Sequence, residues 1–417
     1  MNRRFWRLPL GLVLSGVSFV WRRLMFGTTF VAVTGSVGKT TATRCLAAIL
    51  SERFPTNATP GSQNHRLGLA RTILRTRFSH RFTVIEVATR RVGAMWRACL
   101  QVKPDIVVML SVARTHSHRF PNLEVIAREK AQLLRRLGAR GTAVLNGEDP
   151  RVLAMAAGLR CRVIRFGLRP EFDIWASEIS SQWPARLSFR VHSGGRSYAV
   201  TTQLAGEHWV HSVLGALAGA VACGVPLEQA AARVAHVEPY LARLQPAPLP
   251  NGAVMLRDEY EGSGVTLDAA FRVLGEARGC RRVVVHGDIW DTGLEPRERY
   301  QDLGRRAAEA ADVAVFVGDP GPEASRAALA HGMEPANVHA FPELGQASAF
   351  LRAELRAGDL VLLKGKTEEH LSRLYFAQLG AVQCWKKECA LLSLCDHCPK
   401  LWDKTTGEPQ VGRHAVS

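Results

Sequence analysis

The sequence predicts an α/β protein with two parallel-sheet domains and a short Cys-rich, metal-binding C-terminal tail. Three observations carry that expectation. Short apolar runs near residues 30–34, 83–87, 105–110 and 142–146 alternate with helical segments, as βαβ units require. A second set near 253–257, 282–287, 313–317 and 360–364 repeats the alternation and reads as a Rossmann-like domain. The first run leads into Thr34-Gly35-Ser36-Val37-Gly38-Lys39-Thr40-Thr41 and then the helical ATRCLAAIL. Strand, glycine loop, GKT and helix is the setting of a P-loop ATPase domain. The expected organisation is an amphipathic or membrane-associating segment over 1–27, an ATP-binding domain over 28–240, a Rossmann-like domain over 241–382 and a Cys-cluster tail over 383–417. Residues 187–203 read as an antiparallel insertion around His192-Ser193-Gly194-Gly195.

The chain has 417 residues, 47% hydrophobic and 22% charged, enough for two or three domains of roughly 150 residues each. That composition excludes a disordered chain or a disulfide-stapled miniprotein. The formal charge is +17, from 54 Lys and Arg against 37 Asp and Glu. A basic balance suits an anionic partner (nucleotide, lipid surface or nucleic acid), or reflects an Arg-rich coding bias. No nucleic-acid-binding motif accompanies the charge, so nucleic acid is not the expected partner. Only nine of the basic residues are lysine, which makes each lysine informative.

The N-terminal apolar stretch Leu8–Trp21 is fourteen residues long. As a helix it would reach about 21 Å, short of the ~30 Å hydrocarbon core. Arginines flank it, and Trp6 and Trp21 stand near its ends. An interfacial helix has this pattern, and so does a helix packed on its own core or on a second subunit. A cleaved signal peptide fits less well, since no small-x-small site follows. The expected location is cytoplasmic, peripheral on the inner face of the membrane.

Within the loop, Gly35 and Gly38 let backbone N–H groups turn toward phosphate oxygens, with Ser36, Val37 and Thr41 completing the cradle. Lys39 places a cation on the β- and γ-phosphates, and the Thr40 hydroxyl is a natural Mg²⁺ ligand. The first glycine lies closer to GKT than in the standard Walker pattern.

These residues resemble the Mur ligase family, whose loop reads TGxxGKTT, and the likeness continues in order from about residue 30 to 375. Thr59-Pro60-Gly61-Ser62-Gln63-Asn64-His65-Arg66-Leu67-Gly68 resembles the loop at the γ-phosphate and metal. Val84-Ile85-Glu86 resembles the strand ending in the metal-binding glutamate. Ser111 to His116 aligns with NIxxxH, with serine for asparagine. Glu124 to Lys130 resembles the helix carrying a modified lysine, and Ala143 to Asp149 the segment AVxNxDD. Gly206-Glu207-His208 opens a GxHxxxNxxAA helix, with Ser212 at its asparagine. Asp258-Glu259-Tyr260, His286 to Gly293 and Gly358 to Gly365 resemble the branch that adds D-alanyl-D-alanine.

The resemblance implies an ADP-forming ligase that joins a small or carrier-linked carboxylic acid to the amine of an amino acid or peptide, through an acyl phosphate. It implies ATP, one or two Mg²⁺ ions, and four catalytic residues: Lys39, Glu86, His116 and Lys130. Thr40, Glu86, His116 and Lys130 would serve the metal, Lys130 as a carbamate formed with CO₂. His118 lies two residues from His116, so the alignment at that histidine can slip. Asn64 and His208 would join the nucleotide site. Arg243 would reach the ATP phosphates and Asp258 the ribose hydroxyls, with domain closure excluding water. Lys364 would contact substrate or acyl phosphate. About thirty residues precede the loop, so the family's N-terminal UDP-binding domain is expected to be missing. The competing reading is a noncatalytic ATP-binding scaffold subunit, which Ser111 and Ser212 keep open.

Cys45, Cys99, Cys161, Cys223 and Cys280 are scattered among apolar residues and read as reduced core thiols. Cys384, Cys389, Cys395 and Cys398 crowd into fifteen residues. Four thiolates at this spacing would close a tetrahedral Zn²⁺ site, with an iron–sulfur cluster or free thiols as alternatives. Trp385, Lys386, Lys387 and Trp402 would make the tail a docking knob for a protein partner.

Overall fold

The computed structural model describes residues 7–402 apart from 90, 115–119, 291, 387, 388, 390 and 392. The chain divides into two compact units, one running to Tyr240 and one from Leu241 on, with Gln182–Ala185 joining the second.

The first unit opens with α1 (Arg7–Leu24), which packs on two later helices. Then β1 (Thr29–Thr34), α2 (Lys39–Ser51), β2 (Thr56–Ala58), α3 (Arg66–Arg75), β3 (Phe82–Glu86), α4 (Met95–Val102), β4 (Ile106–Met109), α5 (Leu123–Leu134) and β5 (Thr142–Asn146) alternate. After α6 (Pro150–Ala154) come β6 (Arg162–Gly167), β7 (Ile174–Ser180), β8 (Ser188–Ser193) and β9 (Arg196–Thr201). Helices α7 (Val210–Ala222) and α8 (Leu227–Val234) close the unit. The nine strands form one sheet in the order β2-β3-β1-β4-β5-β6-β7-β8-β9. Pairing is parallel from β2 to β7 and antiparallel beyond.

Central strands of a parallel sheet are covered on both faces, so they read as unbroken apolar runs. In β1, β3, β4 and β5 nearly every residue is buried, which is why these four were legible. The β8–β9 hairpin turns at Gly194-Gly195, both with positive φ, where the sequence predicts an antiparallel insertion. The strands that escaped, β2, β6 and β7, are short or mixed in polarity.

The second unit contains β10 (Gln245–Pro248), β11 (Val254–Asp258), α9 (Gly264–Gly275), β12 (Arg282–His286), α10 (Pro296–Ala310) and β13 (Val313–Val317). There follow α11 (Gly321–Ala330), β14 (Val338–Phe341), α12 (Leu344–Glu354), β15 (Leu360–Lys364) and α13 (Ser372–Leu379). Its sheet runs β10-β11-β15-β12-β13-β14, parallel except for the β10 edge. Pro246 and Pro248 suit that edge, where a missing N–H costs no ladder bond.

Among its described residues, part of the tail packs on the second unit. Cys395 and Leu401 are buried in the second unit's core, and Trp402 meets Phe376 edge to face at 5.7 Å. Buried Arg257 grips Asp396 with two hydrogen bonds of 2.6 and 2.9 Å and also holds Glu259. Among the described residues no helix is long and apolar enough to cross a membrane.

Candidate active site

The phosphate loop runs from the end of β1 to the first residue of α2, so the parallel sheet sets where it begins and the helix axis where it points. Gly38 sits at φ 78°, a left-handed conformation, and a Cβ there would stand 2.3 Å from the Ser212 hydroxyl. The loop is tied to the segment after β4. The Ser36 N–H donates to the Ser111 carbonyl at 2.8 Å, and the Ala113 N–H donates to Ser36 Oγ at 2.8 Å. Lys39 Nζ donates to the carbonyls of Gly35 and Ser36 at 2.9 and 2.7 Å. Thr41 is buried in the first turn of α2.

Both departures from the family pattern touch this loop. Ser111 Oγ accepts from the Val37 N–H at 3.5 Å, and Ser212 on α7 lies under Gly38. Small serines therefore occupy positions that the loop crowds. Gly38→Ala should lower nucleotide affinity by about tenfold, the size of a strained positive-φ side chain. Isothermal titration with an ATP analogue would check it, and unchanged affinity would show that the loop relaxes freely.

The loop after β2 joins the next two groups. Thr40 Oγ1 is 3.0 Å from Ser62 Oγ, and Asn64 Nδ2 donates to Glu86 Oε1 at 2.6 Å. The Glu86 N–H is held by Thr59 Oγ1 at 3.0 Å. Glu86 is 1% exposed, and its Oε2 has no hydrogen-bond partner among the described residues. A buried carboxylate oxygen left unpaired is costly, and a hard cation would satisfy it. Glu86 and Thr40 thus fit a divalent metal.

Helix α5 begins at Asn122, whose side chain accepts from the Val125 N–H as an N-cap. Ile126, Lys130, Leu133 and Leu134 fall on its buried face. Lys130 is 3% exposed. Burial, reinforced by repulsion from Lys39, holds its pKa well below the usual lysine value. It is therefore a neutral amine over more of the pH range than an ordinary lysine. His116 lies outside the described residues. His208 is exposed on the turn before α7, its ring 4.5 Å from that of Trp209.

In the second unit, the Arg243 guanidinium lies 4.7 Å from the centre of the Tyr260 ring. Asp258 is buried at the end of β11, next to β15. Its Oδ2 receives Lys364 Nζ at 2.7 Å and its Oδ1 the Leu244 N–H at 3.0 Å. Burial raises the Asp258 pKa, and Lys364 works against that rise. Lys364 also donates to the Glu261 carbonyl and the Thr266 hydroxyl, both at 3.1 Å. It is a fully buried partner of Asp258.

One cluster went unnamed at the level of sequence. Asp288 accepts from Lys366 Nζ and from the Tyr300 hydroxyl at 2.9 Å. Glu369 accepts the N–H groups of Asp288 and Lys366 at 2.6 and 3.0 Å. Burial pushes the Glu369 carboxyl up to about 7. The signal available was the scarcity of lysine, since Lys366 follows Lys364 by two residues.

The zinc expectation is not met by the geometry. Cys384, Cys389, Cys395 and Cys398 are free thiols, and among the described residues no three His, Cys, Asp or Glu side chains gather as a metal group. Cys395 Sγ instead lies 3.4 Å from His370 Nδ1, inside the core. Burial raises the Cys395 pKa.

Comparison with known proteins agrees with this arrangement. Residues 33–220 match the Mur ligase middle domain, and residues 242–367 match the Mur ligase glutamate ligase domain. A UDP-N-acetylmuramoyl-tripeptide–D-alanyl-D-alanine ligase of Mycobacterium tuberculosis is 30% identical over 379 residues, which span 86% of this chain and 74% of that protein. The Escherichia coli ligase of the same name is 28% identical over 298 residues, 70% of this chain and 65% of that one. A crystal structure of MurF from Acinetobacter baumannii superposes with a TM-score of 0.81 at 27% identity, covering 88% of this chain and 80% of that one. Two domains matched in order and a 30% identical relative covered over 74% of its length give one conclusion: the chain belongs to the Mur ligase family.

Proposed function

We propose how this ATP-dependent carboxylate–amine ligase forms its amide bond. A carboxylate is a poor electrophile at neutral pH. Transfer of the γ-phosphoryl group of ATP to the carboxylate oxygen breaks the bond to ADP and makes an acyl phosphate. The amine then attacks the acyl carbon, a tetrahedral intermediate collapses, and phosphate leaves. Phosphoryl transfer needs positioning and charge neutralisation more than covalent help. The loop from Gly35 to Thr41, with Asn64 and His208, binds the nucleotide, and Lys39 neutralises the transferring group. A divalent cation, when bound, adds charge neutralisation, and Thr40 and Glu86 would hold it. The neutral amine of Lys130 would add CO₂: an N–C bond forms, one proton leaves, and the neutral amine becomes an anionic oxygen donor. Arg243 and Asp258 are the second unit's proposed nucleotide contacts.

The observation that carries this reading is buried Lys130 beside Lys39, on the same unit as the unpaired Glu86 oxygen. A scaffold that only bound nucleotide would have no use for a desolvated lysine there. The relatives are named for adding D-alanyl-D-alanine, so that dipeptide is the first amine to supply. The test is hydroxylamine trapping. Purified protein, Mg-ATP, hydroxylamine and a cell extract as acid source should yield a hydroxamate and ADP in equal amounts, detected by mass spectrometry. ATP consumption with no hydroxamate from any acid would sink the acyl phosphate.

A further inference from the structure

Helix α1 turns an apolar stripe outward. Several of its polar side chains face the protein. Ser18 is fully buried and receives Gln101 Nε2 at 2.8 Å, and Ser15 receives Arg66 Nε at 2.8 Å. Arg22 is 5% exposed and donates to the Val102 and Lys103 carbonyls and to Asp105, at 2.8, 2.6 and 3.0 Å. Trp21 packs on the core, but another set of apolar side chains faces outward. Val13, Val17, Val20 and Leu24 follow the i, i+4, i+7, i+11 spacing of one helical face and are 60%, 50%, 57% and 47% exposed, with Leu12 alongside at 57%. The stripe continues past the helix end through Phe26, 90% exposed, and Phe78, 70% exposed, whose ring meets Trp21 at 5.6 Å. A helix that served only to cap this unit would put its valines inward and its serines outward. Exposed apolar stripes of this extent mark an interaction surface.

Charge identifies the partner. Residues 1–104 carry 17 Lys and Arg and only two acids, Glu52 and Glu86, so +15 of the chain's +17 lies in its first quarter. Glu86 is buried and far from balancing a surface. The two helices packed against α1, namely α3 and α4, contain no Asp or Glu. They and the turns after them expose Arg71, Arg75, Arg97 and Lys103. The acid facing α1, Asp105, is already paired with Arg22. An apolar face whose adjoining helices expose cations and carry no acid is complementary to an anionic bilayer surface, where hydrocarbon takes the stripe and headgroups take the arginines.

We propose that this face of α1 seats the first unit on an anionic membrane surface, as an interfacial and not a spanning helix. The chemistry it selects is lipid phosphate at the headgroup plane with acyl chains beneath. The ligase would then work at that surface, which favours a lipid-linked acid. This consequence rests on the proposed ligase activity, whereas the docking itself does not.

The test is co-sedimentation of the full chain with vesicles. Vesicles of phosphatidylcholine with phosphatidylglycerol should bind it about tenfold or more better than pure phosphatidylcholine. Val17→Glu/Val20→Glu should lower that binding about tenfold or more, since both residues are exposed and neither supports the core. Arg71→Glu/Arg75→Glu should lower it too and flatten its salt dependence. Circular dichroism melts confirm that both variants are folded. Three results would overturn the proposal: wild-type protein left in the supernatant with anionic vesicles, binding indifferent to the Val17/Val20 change, or a wild-type dimer that this change converts to monomer without vesicle binding. The last would assign the face to a second copy of the chain. Hydroxylamine trapping without vesicles reads the ligase separately, so the two proposals fail independently.

Discussion

Lys130→Met is expected to cost ligase activity roughly a hundredfold or more while making the protein more stable. The two effects have one cause. A lysine amine held in the interior beside Lys39 is unfavourable as a cation, and burial is the larger reason. Methionine fills a similar volume with no charge to desolvate, a change that stabilises by about 1–2 kcal/mol when the lost charge was poorly compensated. The sign with pH follows. The folded pKa lies below the 10.5 of a free lysine, so between the two the unfolded chain binds more protons. Wild-type stability in CO₂-free buffer should therefore climb as pH rises toward that value, and fall as pH drops through the folded pKa. The methionine variant should lack this slope. Urea titrations at several pH values measure it. Adding ¹³C-bicarbonate to the wild type should give a carbamate resonance that the variant lacks. A variant that keeps its activity, or a wild type whose slope matches the variant's, would remove Lys130 from the mechanism.

Lys364→Met should destabilise the second unit by about 3–5 kcal/mol, the usual consequence of leaving one member of a buried ion pair alone. Lys364 is fully buried, with Asp258 as its charged partner. Without it, Asp258 keeps the Leu244 N–H and the charge of Arg243, and the Glu261 carbonyl and Thr266 hydroxyl lose a donor. Burial already raises the Asp258 pKa, and Lys364 is the first influence opposing that rise. The variant's Asp258 should therefore hold its proton to higher pH. Its contribution then favours the fold at low pH and is lost as pH rises through the folded pKa, so the deficit should shrink in acid. Adding Asp258→Asn should recover a sizeable part of the loss at neutral pH, and a double-mutant cycle by chemical denaturation gives the coupling. Additive losses would mean that the pair is not a unit.

The ligase reading, if the hydroxamate appears, narrows the role of the two substituted serines. Ser111 and Ser212 do not sit apart from the nucleotide loop. One accepts the Val37 N–H and the other fills the space under Gly38. They adjust the loop and leave Lys39, Thr40 and Glu86 in place, which suits altered nucleotide contacts better than a lost activity.

What the sequence determined by itself was whatever depends on local pattern. Strands covered on both faces must be apolar throughout, so β1, β3, β4, β5 and their counterparts in the second unit were readable within a residue or so. A phosphate loop must place glycine, lysine and threonine at close fixed spacing, so Gly35 to Thr41 was readable too. Contacts between residues far apart in the chain were left to the tertiary structure. Lys364 was legible as a lysine at a strand end, but only the neighbouring strand β11 shows that it pairs with Asp258. The four tail cysteines had the spacing of a metal site, yet Arg257, 139 residues from Asp396, draws that segment into the core and leaves Cys395 against His370. The apolar stretch of α1 was plain in the sequence, but which of its faces turns outward was not. That depended on Gln101, Arg66 and Asp105 reaching its serines and Arg22 from other helices and turns, and hydrogen bonds over such separations leave no period in the sequence.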